Sequence, residues 1–540
     1  MSTTSHESPR MRAAIEAWTL SIGAANVSEE ADVLSATGTA TYPADRAVPA
    51  VIHPGSATEV SQCLRIAQEH RIPVYPISRG MNWGYGSSAP VEDGCVVMDL
   101  GRMNRILDYD IEMGTVTVEP GVTFHQLQEL LEEHSSRHFM AAPGTSPHAS
   151  LIGNAVDRGW GFGPYSDRFD FTAGMEVVLP DGEVVETGNA RFRGSRSAHL
   201  FKWGNGPYMD GIFTQSNFGV VTRMTFFLAE TPPIFASFVY KMDGDARLPE
   251  LVAALRELKM RHLVRTNFKL QSFYRLFMER QQFPTDQHNF LLSDEAKAEA
   301  KEKWGLADWN GFGALYCWSD AQYAAERELV ERILGPHVDA LIFLDADVMA
   351  RQDALKDEVK AGTGYDLANV LDRFWVNTRL IGVARGKGVS GAYFRKPGPI
   401  PDELDLDRDH VGFLWIDPIV PFRGSDVRVA LDLAARIMEH HGFEPNLGLN
   451  CVTERAIFMT IAMVYDRDSD DGDQRAMRCG KELAQRMTAN GFTLGRIANG
   501  FMNVLDHAQP ASLDLQHRIK EALDPGNILS PGRYEVPPSF

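Results

Sequence analysis

The chain has 540 residues, with 53 Lys and Arg against 72 Asp and Glu, and a formal net charge of −19. Hydrophobic residues make up 44% and charged residues 23%, the balance of a folded globular chain, so extended disorder is excluded. The acidic excess is spread along the chain and excludes nucleic acid and anionic membrane surfaces as favourable partners.

At ~150 residues per domain the length allows three or four domains, or two large ones. The stretch Met1–Arg10 has no apolar centre and is no secretory signal. Nowhere is there an unbroken apolar run of ~18 residues, so no membrane span is expected. Cysteines at 63, 95, 317, 451 and 479 form no close pair, which predicts reduced thiols and a cytoplasmic location rather than a redox or zinc framework.

In chain order, Arg12–Ile22 reads as a helix and Val48–His53 as a strand. Ser56-Ala-Thr-Glu59 has the form of a capping box, and Val60, Leu64, Ile66 and Ala67 give the next helix an apolar face to about His70. Ile72–Ile77 predicts a second strand, which leads into the glycine-rich loop Ser78-Arg-Gly-Met-Asn-Trp-Gly-Tyr-Gly-Ser-Ser88. Cys95–Leu100, Arg105–Tyr109 and Thr115–Glu119 predict three short strands, with a turn at Glu112-Met-Gly. Thr123-Phe-His-Gln126 opens a capped helix to about His134, and Ala142–Pro164 is glycine-rich again. A hairpin follows, Met175–Leu179 and Val184–Glu186 around Pro180-Asp-Gly. The composition shifts near Thr231-Pro-Pro233, and 234–478 holds most amphipathic helices and the charged run Asp294–Lys303. Asp524–Arg533 returns to glycine and proline. This order predicts α+β layers, not a doubly wound parallel sheet.

A diphosphate needs several backbone N–H groups aimed at it, and glycines permit that approach. The 78–88 loop offers Gly80, Gly84 and Gly86 with Ser78 and Asn82, but alone it reads equally as a turn between strands. No helix follows at the spacing of a dinucleotide fingerprint. Gly382-Val-Ala-Arg-Gly386-Lys387 lacks the spacer of a P-loop and reads as a loop in the second domain. There is no H-E-x-x-H and no G-x-S-x-G, and His440-His441 reads as a structural pair at a helix end. No metal site is expected.

The combination is more specific than any single loop. The 78–88 loop, Gly153-Asn-Ala-Val, the segment Gly206–Thr222 and Asn527-Ile-Leu-Ser-Pro-Gly532 occur in an order that resembles the vanillyl-alcohol oxidase / p-cresol methylhydroxylase family of FAD enzymes. The resemblance is dense over 48–228, patchy over 234–478 (where Trp309–Tyr316 is an island) and returns over 490–533. It implies a two-domain flavoprotein with a discontinuous FAD-binding domain, 1–232 and 479–540, and an inserted α+β cap domain, 233–478. It also implies hydride removal from the benzylic carbon of a para-substituted phenol through a quinone methide. The partners implied are a small aromatic substrate, O2 or another electron acceptor, and a second copy of the chain in a homodimer. A non-phenolic alcohol or 2-hydroxy acid on the same fold is the alternative.

Residue by residue, the resemblance gives Tyr85 and Arg496 as donors to the phenolate oxygen and Asp167 as a carboxylate near the flavin that stabilises the electron-poor benzylic carbon and assists water addition as a base. It gives Ser78, Arg79, Gly80, Met81, Asn82, Gly84, Gly153, Asn154, Gly219, Val221, Phe413 and Arg533 as cofactor contacts. Trp83, Trp415 and Gly495 are expected to bound the substrate. Two positions depart from the family pattern. Phe413 stands where the family has its flavin-attaching His or Tyr, so FAD is expected without a covalent link, unless His410 serves instead. Gly495 stands where a tyrosine is usual, which removes one phenolate donor and is expected to open space for a larger substrate, unless Phe458 or Phe443 fills it.

Overall fold

Met11, Ala14, Trp18 and Ile22 recur at helical spacing, and all are buried on one face of the helix Pro9–Ile22. In the computed structural model, which describes residues 9–284, 291–367, 380–383 and 386–535, that face packs on the helix Ala57–His70. Trp18 Nε1 donates to the Cys63 carbonyl at 3.0 Å and fixes the crossing. The second helix starts as its sequence predicts: Ser56 accepts from the Glu59 N–H, although the Glu59 carboxylate turns to the Gly55 N–H, so the box is not reciprocal. At Thr123 the box is complete.

These helices cover a small sheet in which Val96–Asp99 pairs in parallel with both Val51–Ile52 and Val74–Ile77. A second sheet is antiparallel, in the order Val184–Glu186, Thr172–Val178, Val220–Phe227, Thr115–Val118, Ile106–Asp110. The C-terminal stretch returns to the first sheet, where Val74 N–H donates to the Ile528 carbonyl at 2.7 Å and Ser530 N–H to the Val74 carbonyl at 2.8 Å.

The third sheet has eight antiparallel strands, in the order Ala340–Leu344, Ile234–Met242, Trp309–Cys317, Phe268–Ser272, Leu447–Cys451, Ala456–Asp466, Val411–Pro421, Leu494–Arg496. Helices Leu248–Met260, Asp320–Leu334, Gly424–His440 and Gly472–Ala489 bury their apolar faces on one side of it. On the other side Phe312 stacks on Phe162 and Tyr316 on Phe139, so this face lies over the glycine-rich stretches. Every residue of Trp309–Cys317 is therefore buried, and the strand reads as a continuous run rather than alternating.

The architecture is α+β, as expected. Pro232–Pro233 falls between the short strand Ala229–Glu230 and the strand Ile234–Met242. Position 478 falls inside the helix Gly472–Ala489. Of the 382–387 stretch read as a loop, residues 384 and 385 lie outside the described residues, and Gly386–Arg395 is 3-10 helical. All five cysteines are free and buried. His441 Nε2 pairs with Glu482 at 2.8 Å. Among the described residues no cluster of His, Cys, Asp and Glu could hold a metal ion, and no helix is long and apolar enough to cross a membrane.

Candidate active site

The 78–88 loop leaves the strand Val74–Ile77 and approaches the eight-stranded sheet so closely that side chains are excluded at two points. Gly84 has φ +82°, and a Cβ there would enter the Trp415 ring. Gly86 has φ +136°, and a Cβ there would meet Asn499. Trp415 N–H donates to the Gly84 carbonyl at 3.2 Å, which ties the loop to Val411–Pro421.

Along one side of this loop runs an open groove. Its walls include Ser78, Arg79, Gly80, Met81, Asn82, Gly153, Asn154, Gly219, Val221 and Arg533, all expected at the cofactor. Gly84 and Phe413, also expected there, do not line it. Gly84 serves the close approach to Trp415, and the Phe413 ring packs edge-on to Trp415 at 4.8 Å, among Phe273 and Phe277. His410 is at the surface, with Nδ1 3.1 Å from Asp468, and points to no part of the groove.

Where the groove meets the last strand of the large sheet, Asp157 gathers four groups. Arg496 pairs with its Oδ2, Nε lying 3.1 Å away, while Arg533 Nη2 at 2.8 Å and the Tyr534 hydroxyl at 3.0 Å donate to its Oδ1. The fourth, Gln215, donates to the Asp157 carbonyl at 3.4 Å and to the Gly495 carbonyl at 2.8 Å. Burial works to raise the Asp157 carboxyl, but Arg496 and Arg533 outweigh it and hold it below the usual carboxylate value. Two guanidiniums on one carboxylate leave the cluster net positive.

Arg496 also donates to Asn82 Oδ1 at 3.0 Å and lies 3.9 Å over the Tyr85 ring. Tyr85 donates its hydroxyl to Asp417 Oδ2 in a short hydrogen bond. Asp417 is 0% exposed, and its Oδ1 makes no well-formed hydrogen bond among the described residues. Burial pushes Asp417 up to about 7, with Tyr85, Arg496 and Arg275 holding it from going further. The same burial, with the Asp417 charge, raises Tyr85 well above an ordinary tyrosine.

The structure thus brings Tyr85 and Arg496 together. Among the described residues no hydrogen bond or ion pair joins Asp167 to them: its backbone bridges Trp160, whose ring meets Phe458 at 5.8 Å, while its carboxylate accepts from the Asp170 N–H at 3.2 Å. Burial and the Asp170 charge raise Asp167 above the usual carboxylate value. Trp415 faces the site; Trp83 is held away from it, donating to Asp407 at 2.9 Å within the Phe273 and Phe277 cluster. Asp407 also accepts from Ser87 at 2.8 Å, and burial pushes it up to about 7.

The opening expected at Gly495 is absent. A Cβ there would fall 2.5 Å from the Phe458 ring and 2.7 Å from Ile419, so these two side chains occupy the position of the missing tyrosine. Phe443 packs elsewhere, against Tyr465.

Sequence reasoning missed Asp157, Asp417, Asp407, Tyr534 and Arg275. Asp417 had a signal: it is the lone acid in Val-Gly-Phe-Leu-Trp-Ile-Asp-Pro-Ile-Val, an apolar strand where a carboxylate must have a reason to be.

Residues 48–188 match the model of an FAD-binding domain. Over 95% of both chains, 38% of residues are identical to 1'-carboxy-chondrochloren decarboxylase of Chondromyces crocatus. Identity is 31% to the 4-cresol dehydrogenase [hydroxylating] flavoprotein subunit of Pseudomonas putida, over 97% of this chain and 95% of that one. The crystal structure of p-cresol methylhydroxylase with substrate bound superposes with a TM-score of 0.87, at 28% identity over 99% of both chains.

The chain belongs to the vanillyl-alcohol oxidase / p-cresol methylhydroxylase family. It is a flavin-dependent oxidoreductase, and its fold is the discontinuous FAD-binding fold with a cap that the family shares. The groove fits this cofactor. It is long and open, its loop has a left-handed glycine at Gly80 (φ +68°), and the Thr145 hydroxyl on its wall is buried without a partner among the described residues. The 78–82 loop, Gly153, Asn154, Gly219 and Val221 would hold FAD, which supplies a hydride acceptor when bound. Arg496 and Tyr85, the pair that the resemblance leads one to expect, lie against each other beside this groove.

Proposed function

We propose that this protein oxidises a para-substituted phenol at its benzylic carbon, with Tyr85, Asp417 and Arg496 binding the substrate as its phenolate. The observation that carries this reading is the row Arg496–Tyr85–Asp417: a buried cation stacked on a tyrosine whose proton is already directed at a carboxylate. A free phenol has a pKa of ~10 and is not ionised at neutral pH. A phenol donating to the Tyr85 oxygen would pass its proton to Tyr85 as Tyr85 passes its own to Asp417. Asp417, raised to about 7, takes a proton near neutrality, which an ordinary aspartate does not. The net positive Asp157–Arg496–Arg533 cluster then faces the new anion. Arg496 cannot lose its proton to the substrate, because Asp157 and the Tyr85 oxygen outweigh burial and raise it further.

The 4-cresol dehydrogenase relative supports a phenol as the substrate. The decarboxylase relative, whose substrate by its name carries a carboxyl group, favours a second reading in which the phenol oxidised here carries a carboxylate. We further propose FAD without a covalent link, since Phe413 has no nucleophilic atom and His410 is directed at Asp468. A cytoplasmic homodimer with the 1–232, 233–478 and 479–540 organisation completes the reading. The test is anaerobic mixing of the oxidised protein with 4-ethylphenol, vanillyl alcohol and their 4-methoxy analogues. Flavin bleaching by the phenols and none by the methyl ethers is expected. Bleaching by neither, or equally by both, would sink the phenolate reading.

A further inference from the structure

Arg275 has no role in the phenolate row, yet it stands beside it. It opens the helix Phe273–Phe277, whose N-cap Ser272 ends a strand of the large sheet. Its guanidinium lies 4.8 Å over the Trp415 ring, and Nη1 donates to Asn446 Oδ1 at 3.2 Å. Trp415 also meets Gly84, the neighbour of Tyr85, so one ring links Arg275 to the loop that carries Tyr85.

Arg275 differs from the other arginines of the site in its pairing. Arg496 and Arg533 share Asp157, whereas among the described residues no carboxylate comes within 4.0 Å of the Arg275 guanidinium. Among the described residues its five N–H donors have one protein hydrogen bond between them. Of the nearby acids, Asp417 gives one oxygen to Tyr85, and Glu279 is one helical turn along with interactions of its own. A half-buried cation with so little compensation is poorly matched unless an anion completes it. Burial lowers its pKa, and only the more distant charges of Glu279 and Asp417 and the Tyr85 oxygen partly restore it. A neutral phenol would leave this cation as it stands.

We propose that Arg275, with Asn446 fixing its orientation and Trp415 beneath it, binds a carboxylate carried on the side chain of the phenolic substrate. This rests on the phenol reading above and narrows it to 4-hydroxyphenyl compounds with an anionic tail. The planar guanidinium presents paired donors to both oxygens of a carboxylate, which an alcohol or alkyl tail cannot use.

The test is anaerobic calorimetric titration of the dithionite-reduced holoenzyme, which cannot turn over, with 3-(4-hydroxyphenyl)propanoate and its neutral counterpart 4-propylphenol. The wild-type protein should bind the carboxylate the more tightly. Arg275→Met should weaken the carboxylate ~10–100-fold, the range of a charge-assisted hydrogen-bonded pair, and leave 4-propylphenol within about twofold. Arg275→Lys should recover part of the loss. Equal weakening of both ligands would make Arg275 a structural residue and overturn the proposal. Wild-type preference for 4-propylphenol would also overturn it, while leaving the phenol reading intact. Binding of neither ligand would remove both.

Discussion

Asp417 is a carboxylate held far from the environment its type prefers. Its ordinary value of 3.8 is raised to about 7, so charging it in the folded protein costs stability. The sign follows: its contribution is fully present below pH 3.8 and is lost as pH rises towards 7. Asp417→Asn should therefore be most stabilising, relative to wild type, above pH 7, and the difference in urea midpoint should shrink as pH falls to 4. Catalysis should move the opposite way. The ionised form accepts the phenol proton, so kcat/KM for a 4-alkylphenol should rise through a limb near pH 7 that Asp417→Asn abolishes, with a loss of about 10²-fold or more at pH 8. A limb unchanged in the variant would remove Asp417 from the proton path. Tyr85 and Arg496 were legible because each sits in a motif shared with a family. Asp157 was not, because a carboxylate inside Gly153-Asn-Ala-Val-Asp157 acquires its meaning only from Arg496 and Arg533, which lie 339 and 376 positions away.

Strands and helices were read well where periodicity was strong, as in Ala57–His70 and Phe124–Glu133. The large sheet was not legible. Its strands pair across long separations, as Phe268–Ser272 with Leu447–Cys451, and those buried on both faces lose the period of two. The strand Leu494–Arg496 shows the cost of reading a position without its neighbours. Gly495 looked like a vacancy, and the neighbouring strands fill it with Phe458 and Ile419. Gly495→Tyr should thus overpack this edge of the sheet and destabilise by ~1–3 kcal/mol, measured by urea unfolding. Gly495→Tyr with Phe458→Ala should recover most of that loss. If the single variant is neutral, the side chain has somewhere to go and the fitted packing described here is wrong.

At the scale of the whole molecule, the −19 charge disfavours the proposed phenolate, and the local reversal it needs would come from Arg496, Arg533 and Arg275. The proposed non-covalent flavin rests on Phe413, whose ring has no nucleophilic atom, and on His410, whose Nδ1 faces Asp468 at the surface. Acid precipitation should accordingly leave a colourless pellet and a yellow supernatant. Removing the flavin should lower Tm, and excess FAD should restore it in proportion to the logarithm of its concentration. Colour retained in the pellet would refute the non-covalent reading.

The Asp157 hub has a consequence for how the protein comes into being. A ribosome that has delivered the glycine-rich loops has made most of the groove's walls, but Asp157 then waits through several hundred further residues for its two arginines. Were that half to fold before they arrive, Asp157 would be a buried carboxylate without a counter-charge, a state costing ~3–5 kcal/mol by the measure of broken buried pairs. The nascent N-terminal half therefore has reason to stay loose at this spot. Flavin capture would then wait for the C-terminal segment that carries both arginines.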